Sequence, residues 1–462
     1  MKKLCFTVED FFELKSAVLY DAEKIKSVTK VSIDSRNVPA DSLFIAIKGD
    51  KFDGHDFVRD AVKKRASVVL VNSDKLSTLG NIDAPIITVK DTTLALGELA
   101  AIWRIKLKTK IIAITGSAGK TTTKEMIYTL LSGKYKVNKT LGNYNNHIGV
   151  PLTIFSTKSN HDYLVLELGT NHFGEIKYTA EIAIPDYAII TNIGNSHLEY
   201  LKNREGVFEE KAALFNVTAS NKGTLFVNND DPLLISANKN YQKRMTFGFE
   251  KKSDVKGEVT GYTNEGKPII KISHKGKSSS FEVPLYGEQS TKNFLAAVAV
   301  AFKIGLRSEE IKRRLKNIEV VDKRLNVQRI KNFILIDDTY NANPESMEMS
   351  LKLLSQVKRY KNRIAILGDM FELGKVSKML HENLADAVIE NNINFVYTIG
   401  NFMKRLHTKL KSKRIETIHF NDRDSLNNFL TKKSFDNSVV LVKGSRGMKM
   451  EEFVETIKLN NK

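Results

Sequence analysis

Thr115-Gly116-Ser117-Ala118-Gly119-Lys120-Thr121-Thr122-Thr123 follows the β-rich apolar run Ile111-Ile112-Ala113-Ile114 and leads into a helical pattern over Lys124 to Leu131. Small residues between a strand and a helix let backbone N–H groups close around phosphate oxygens at the helix's positive end. Gly116, Ser117, Ala118, Gly119 and Thr122 would form that cradle. Lys120 would neutralise the β/γ-phosphates, and the Thr121 hydroxyl would ligate Mg²⁺. The pattern is the short form, Gly-x-x-Gly-Lys-Thr, because position 114, where the longer loop has its first glycine, is Ile114. A chance glycine turn is the bland alternative, and the strand–loop–helix context weighs against it. The fold read from this stretch is α/β, with a parallel sheet that binds ATP.

Outward from the loop, strand-like runs alternate with helical segments, as a parallel sheet requires. Upstream, Thr92 to Leu107 is apolar at helical spacing. Downstream come Tyr163-Leu164-Val165-Leu166, Tyr187-Ala188-Ile189-Ile190 and Thr224-Leu225-Phe226-Val227. Glu167 ends the first of these, where a carboxylate would hold a metal beside the phosphates. His197 follows the second on the same sheet edge, with a plain hydrogen-bonding role equally open. Between about 245 and 285 the pattern turns to alternation around a hairpin-like turn at Asn264-Glu265-Gly266-Lys267, and an alanine-rich helix, Phe294 to Ile304, closes the region.

Residues 1 to about 90 hold two short apolar runs, Leu43 to Ile47 and Ser67 to Val71, around a loop-like Gly49 to Asp56, and read as a small α/β unit. From about 318 a doubly wound sheet is expected, with strands at Phe333 to Ile336, Ile364 to Leu367, Phe395 to Ile399 and Val439 to Val442. Met347, Leu351, Leu354 and Val357 would form one apolar helix face. Two strand ends there are chemically loaded. Asp337-Asp338-Thr339-Tyr340-Asn341-Ala342-Asn343-Pro344 suits ribose or amide contacts. Lys443-Gly444-Ser445-Arg446-Gly447 pairs two cations with glycines, a site for carboxylate or phosphate. A surface turn is the default for both.

The 462 residues exceed one ordinary domain, and 42% hydrophobic with 27% charged residues is a globular composition. No apolar run is long enough to span a membrane, the start turns acidic too early for a secretory segment, and the one cysteine, Cys5, fits a reducing cytoplasm. The net charge of +19, from 72 basic and 53 acidic residues, is spread in short clusters without a nucleic-acid-binding motif. It reads mainly as solvated surface, with a polyanionic substrate as a secondary contributor.

These stretches together resemble the Mur ligase family. The most specific are Asp338 to Pro344, Ile366-Leu367-Gly368-Asp369-Met370-Phe371-Glu372-Leu373-Gly374, Gly142-Asn143-Tyr144-Asn145-Asn146-His147-Ile148-Gly149, and Val442 to Gly447. The resemblance implies three domains: residues 1–90 binding the UDP end of a substrate, a central P-loop ATPase over 91–317, and a Rossmann-like unit over 318–462. It implies an amide ligase that joins D-alanyl-D-alanine to UDP-N-acetylmuramoyl-tripeptide, as a cytoplasmic monomer without nucleic-acid or membrane partners. Whether the third peptide residue is lysine or diaminopimelate stays open.

The resemblance also implies roles. Ser35 and Arg36 would meet the UDP end, and Asn145 and Asn146 the muramoyl-peptide. Asn293 would contact adenine, Asp338 ribose, and Arg324 the ATP phosphates. Lys211 would be carbamylated and, with His197, hold a second Mg²⁺; Asn343 joins Lys120, Lys211, His197 and Arg324 as catalytic. Two positions depart from the family pattern: Gly287-Glu288-Gln289-Ser290 replaces Gly-x-His-Asn, and Ala213 stands where a glutamate is common. The rival readings are a related amide ligase, such as a folylpolyglutamate synthetase, and a non-catalytic nucleotide switch. Leu367 to Gly374 argues against the first, and His197 with Lys211 against the second.

Overall fold

The computed structural model describes residues 4–238, 241–263, 266–319, 321–357 and 360–461. Three sheets follow one another along the chain. The first runs Val18–Tyr20, Ile86–Val89, Ala66–Asn72, Ser42–Ile45, Val31–Ser32, parallel except at its Val18–Tyr20 edge. The Gly49 to Asp56 stretch is less irregular than expected: a 3₁₀ turn forms at Gly54–Phe57, because the Asp53 carboxylate accepts from His55 N.

The central sheet is ordered Lys277–Glu282, Pro268–His274, Val255–Tyr262, Arg244–Gly248, Thr224–Asn228, Tyr187–Ile190, Lys110–Thr115, Tyr163–Glu167, Val137–Lys139. It is parallel from Val255–Tyr262 to Val137–Lys139, and its far end is an antiparallel meander. The expected hairpin turn falls between two meander strands, although Asn264 and Glu265 lie outside the described residues. From Lys110–Thr115 the chain first adds strands on one side and then crosses to the other. That reversal opens a crevice at the carboxyl ends of the strands, where such sheets bind ligands. The phosphate loop sits there.

Both faces of this sheet are buried. Ile111, Ala113, Leu164 and Leu166 pack into one cluster, and Ile112, Ile114 and Val165 into another with Ala296 and Val300. Double burial is why these strands read as continuous apolar runs. Helix Thr92–Lys106 is capped by Asp91, which accepts from Thr93 N and Leu94 N. The loop helix spans Lys120–Leu131 and the alanine-rich helix Glu288–Ile304, both starting earlier than the apolar pattern because their first turns are polar.

The third sheet is ordered Asn326–Ile330, Phe333–Asp338, Ser438–Lys443, Asn362–Gly368, Phe395–Ile399, Glu416–Phe420, parallel except at the first edge. The last strand inserts between Phe333–Asp338 and Asn362–Gly368, setting Lys443 in register with Asp338. Met347, Leu351 and Leu354 are the buried face of helix Pro344–Gln356, while Val357 lies just beyond it. No described helix is long and apolar enough to cross a membrane.

Candidate active site

The phosphate loop is shaped by two left-handed glycines. Gly116 has φ 149, and a Cβ there would stand 1.9 Å from Thr191 Oγ1; Gly119 has φ 83, and a Cβ would stand 2.3 Å from Asn293 Oδ1. Lys120 Nζ donates to Gly116 O at 2.6 Å, folding the lysine back over the loop. Burial pulls its pKa below the ordinary lysine value, with Glu167 opposing and Arg324 reinforcing the shift.

Glu167 is buried at the end of its strand. Its Oε1 accepts from Thr121 Oγ1 at 3.2 Å and from Asn145 Nδ2 at 3.0 Å, while Oε2 is buried without a hydrogen-bond partner. Lys124, unremarked in the sequence, has its ammonium 3.7 Å from that oxygen. A hydroxyl and a carboxylate whose second oxygen accepts no hydrogen bond fit a hard divalent cation, which prefers oxygen ligands and shares them with phosphates. Among the described residues no group of three or more His, Cys, Asp or Glu side chains is placed to hold a metal ion by itself. Thr121 and Glu167 are the oxygen donors that meet at this point.

His197 Nδ1 lies 2.5 Å from Glu372 Oε2, and desolvation lowers its pKa against the opposing pull of Glu372. Lys211 is buried in helix Arg204–Ser220, and no hydrogen bond or ion pair to its ammonium is found among the described residues. Desolvation, with repulsion from Lys120, brings its pKa down to about 7. The neighbouring Glu210 is engaged elsewhere, accepting from Gly174 N, Ile176 N and Thr170 Oγ1.

Across the cleft are side chains from the strand ends and loops of the third unit. Arg324 stacks on Tyr340 at 4.0 Å, and its buried Nε has no hydrogen-bond partner. Asp338 accepts from Leu325 N, Ser350 Oγ and Lys443 Nζ, the last at 2.5 Å. Lys443, read as an anion-binding residue, thus directs its buried charge at Asp338. Arg446 is more exposed and pairs with Glu451. Asn343 caps helix Pro344–Gln356 through Ser346 N and reaches Ser117 O at 3.5 Å.

Lys120, Glu167, His197, Asn293, Arg324, Asp338, Asn343, Lys443 and Arg446 line one cleft of about 520 Å³, as do Asn145 and Asn146. Asn146 Oδ1 also caps helix Gly149–Phe155 by accepting from Gly149 N. Lys211 is not part of the cleft wall but lies close enough for its charge to act on His197. Ser35 and Arg36 stand apart from the cleft, with Arg36 paired to Asp34 and Ser35 O accepting from Lys64. Glu345, on helix Pro344–Gln356, and Glu372, in the loop after strand Asn362–Gly368, bridge to the His197 loop; Glu372 belongs to a stretch that the sequence marks out, but neither has a role legible there, because each partner is more than a hundred residues away.

A phosphate loop at a sheet switch point, facing basic and polar groups of a second parallel sheet, defines a P-loop nucleotide-binding protein of several α/β units. Three family descriptions match in order: "Mur ligase family, catalytic domain" over residues 27–104, "Mur ligase middle domain" over 114–301 and "Mur ligase, glutamate ligase domain" over 323–446. A Bacillus subtilis protein named UDP-N-acetylmuramoyl-tripeptide–D-alanyl-D-alanine ligase is 33% identical over 457 residues, 98% of each chain. The crystal structure of MurF from Acinetobacter baumannii matches with a TM-score of 0.88 at 30% identity, covering 99% of this chain and 100% of that one. MurF ligase from Thermotoga maritima in complex with ADP matches at 0.82 and 28% identity, covering 93% and 97%. The chain belongs to the Mur ligase family.

Proposed function

We propose that this chain is an ATP-dependent amide ligase that adds D-alanyl-D-alanine to the terminal carboxylate of UDP-N-acetylmuramoyl-tripeptide, in peptidoglycan precursor synthesis. The observation that carries the reading is a single cleft lined by the phosphate loop, by Glu167, whose Oε2 accepts no hydrogen bond, and by Arg324. The near-full-length likeness to ligases of that name supports the choice of substrates.

Making an amide from a free carboxylate is uphill in water, so one carboxyl oxygen must become a leaving group. The γ-phosphoryl of ATP passes to the tripeptide carboxylate, breaking its bond to ADP as the acyl phosphate forms. The amine of D-alanyl-D-alanine attacks the acyl carbon, loses a proton, and the tetrahedral intermediate expels phosphate. Lys120 and Arg324 offset the repulsion between the two anions. Mg²⁺, when bound, neutralises charge developing on the phosphoryl oxygens. Thr121 and Glu167 would hold one ion, and His197 with carbamylated Lys211 the other. For the carbamate, the neutral Lys211 amine adds to CO₂ and releases a proton; a pKa of about 7 keeps much of the amine neutral.

In this reading Asn293 takes the adenine, Asp338 the ribose, and Ser117 to Thr122 the phosphates. Asn145 and Asn146 contact the muramoyl-peptide, Lys443 and Arg446 form the anion-facing wall, and Asn343 links that wall to the loop. Ser35 and Arg36 serve the UDP end, within a division of labour over residues 1–90, 91–317 and 318–462. A cytoplasmic monomer suits a nucleotide-linked substrate. The test is a substrate panel with ATP, Mg²⁺ and bicarbonate: tripeptide nucleotides ending in lysine or diaminopimelate, each against D-alanyl-D-alanine and single amino acids. Phosphate release that requires both partners, with a product of the joined mass, is expected. Phosphate release independent of the dipeptide, or none, refutes the proposal.

A further inference from the structure

The loop that carries His197 is gripped from across the cleft. Besides the 2.5 Å contact between His197 Nδ1 and Glu372 Oε2, Glu199 N donates to Glu372 O at 3.1 Å. On the other flank Glu345 Oε1 accepts from Asn195 N at 2.6 Å and from Asn195 Nδ2 at 2.8 Å. Gly194 permits this approach, since a Cβ there would stand 2.8 Å from Glu345 Cδ. His197 and Glu372 both have left-handed backbone, at φ 54 and 61. That conformation is unfavourable for residues with a Cβ and persists where the surroundings enforce it. Two left-handed residues, one in a loop of the central unit and one in the loop after strand Asn362–Gly368, thus meet through their side chains.

We infer that Glu372 is a positioning residue for His197: its carboxylate accepts the Nδ1–H, fixes the imidazole tautomer and leaves Nε2 as the free lone pair, so that a residue from across the cleft sets this ligand. The inference rests on the proposed role of His197 as a metal ligand. A carboxylate bonded to the far nitrogen of a ligating imidazole orients the ring and raises its basicity. Glu372 acts through His197, while Glu345 holds the same loop without touching the ring.

Mn²⁺ binding, followed by electron paramagnetic resonance with a non-hydrolysable ATP analogue, tests this on the full chain. The Glu372 side chain is 42% exposed, so Glu372→Ala leaves the core intact. The wild type should bind two ions, and Glu372→Ala should weaken the second by about 10–100-fold. Glu372→Gln should recover part of the loss, and affinity for the analogue should be unchanged. Nitrogen-15 spectra of the histidines, assigned with His197→Ala, should show the Nδ1–H tautomer in the wild type and a mixture in Glu372→Ala. Should Glu372→Ala keep both ions while His197→Ala loses one, the positioning role falls and the metal role stands. If His197→Ala also keeps both, the metal reading fails and takes the inference with it. An equal ion loss in Glu345→Gln, with the tautomer unchanged in every variant, would reduce Glu372 to a general clasp and overturn the inference.

Discussion

Replacing Lys211 by methionine should stabilise the protein while abolishing its activity. The ammonium is buried, has no partner among the described residues, and its pKa falls from the ordinary 10.5 to about 7. Between those values the unfolded chain holds a proton that the folded chain has released, so stability rises with pH there; below the folded pKa the deficit is complete. At about 1.4 kcal/mol for each pH unit, the deficit at pH 7 is ~4 kcal/mol before relaxation, and ~2 kcal/mol if water penetration halves it. Methionine keeps the length and apolar volume of the stem, so little packing is lost. The assay is urea denaturation followed by Trp103, the single tryptophan and a buried one, in CO₂-free buffer from pH 7 to 10. The wild-type midpoint should climb with pH, and that of Lys211→Met should start higher and climb less. Bicarbonate should raise the wild-type midpoint alone if a carbamate forms. A variant less stable than the wild type at pH 7, or one that still turns over, refutes the reasoning.

Other expectations follow from the same contacts. Asp338→Ala strands the buried Lys443 ammonium and should cost about 3–5 kcal/mol, whereas the pair Asp338→Asn with Lys443→Met should cost less; a double-mutant cycle by denaturation decides. Gly119→Ala forces a Cβ toward Asn293 at φ 83 and should cost about 1–3 kcal/mol, with weaker ATP binding by calorimetry. Arg324→Lys loses the stack on Tyr340 and should lower kcat/KM for ATP about 10–100-fold while leaving the denaturation midpoint nearly unchanged.

The strands that were plain in the sequence are those buried on both faces. Tyr187–Ile190 and Phe395–Ile399 have the bounds that their apolar runs suggest. Val18–Tyr20, Asn326–Ile330 and Glu416–Phe420 lie at sheet edges with half-exposed patterns, and only their non-local partners make them strands. Likewise Lys124, outside the motif as read, proves to be buried beside Glu167.

What this chain's sequence determined alone was local: a glycine-shaped loop between strand and helix, and the carboxylates and cations that end successive strands. Backbone conformation and strand burial act over a few residues, so their signature survives in linear order. Only the tertiary structure decided that Lys443 answers Asp338, that Lys211 lies buried with its ammonium in no ion pair among the described residues, and that Glu372 meets His197 from 175 residues away. Those pairings arise from strand order and from the packing of one sheet's unit against another, and no spacing along the chain encodes either.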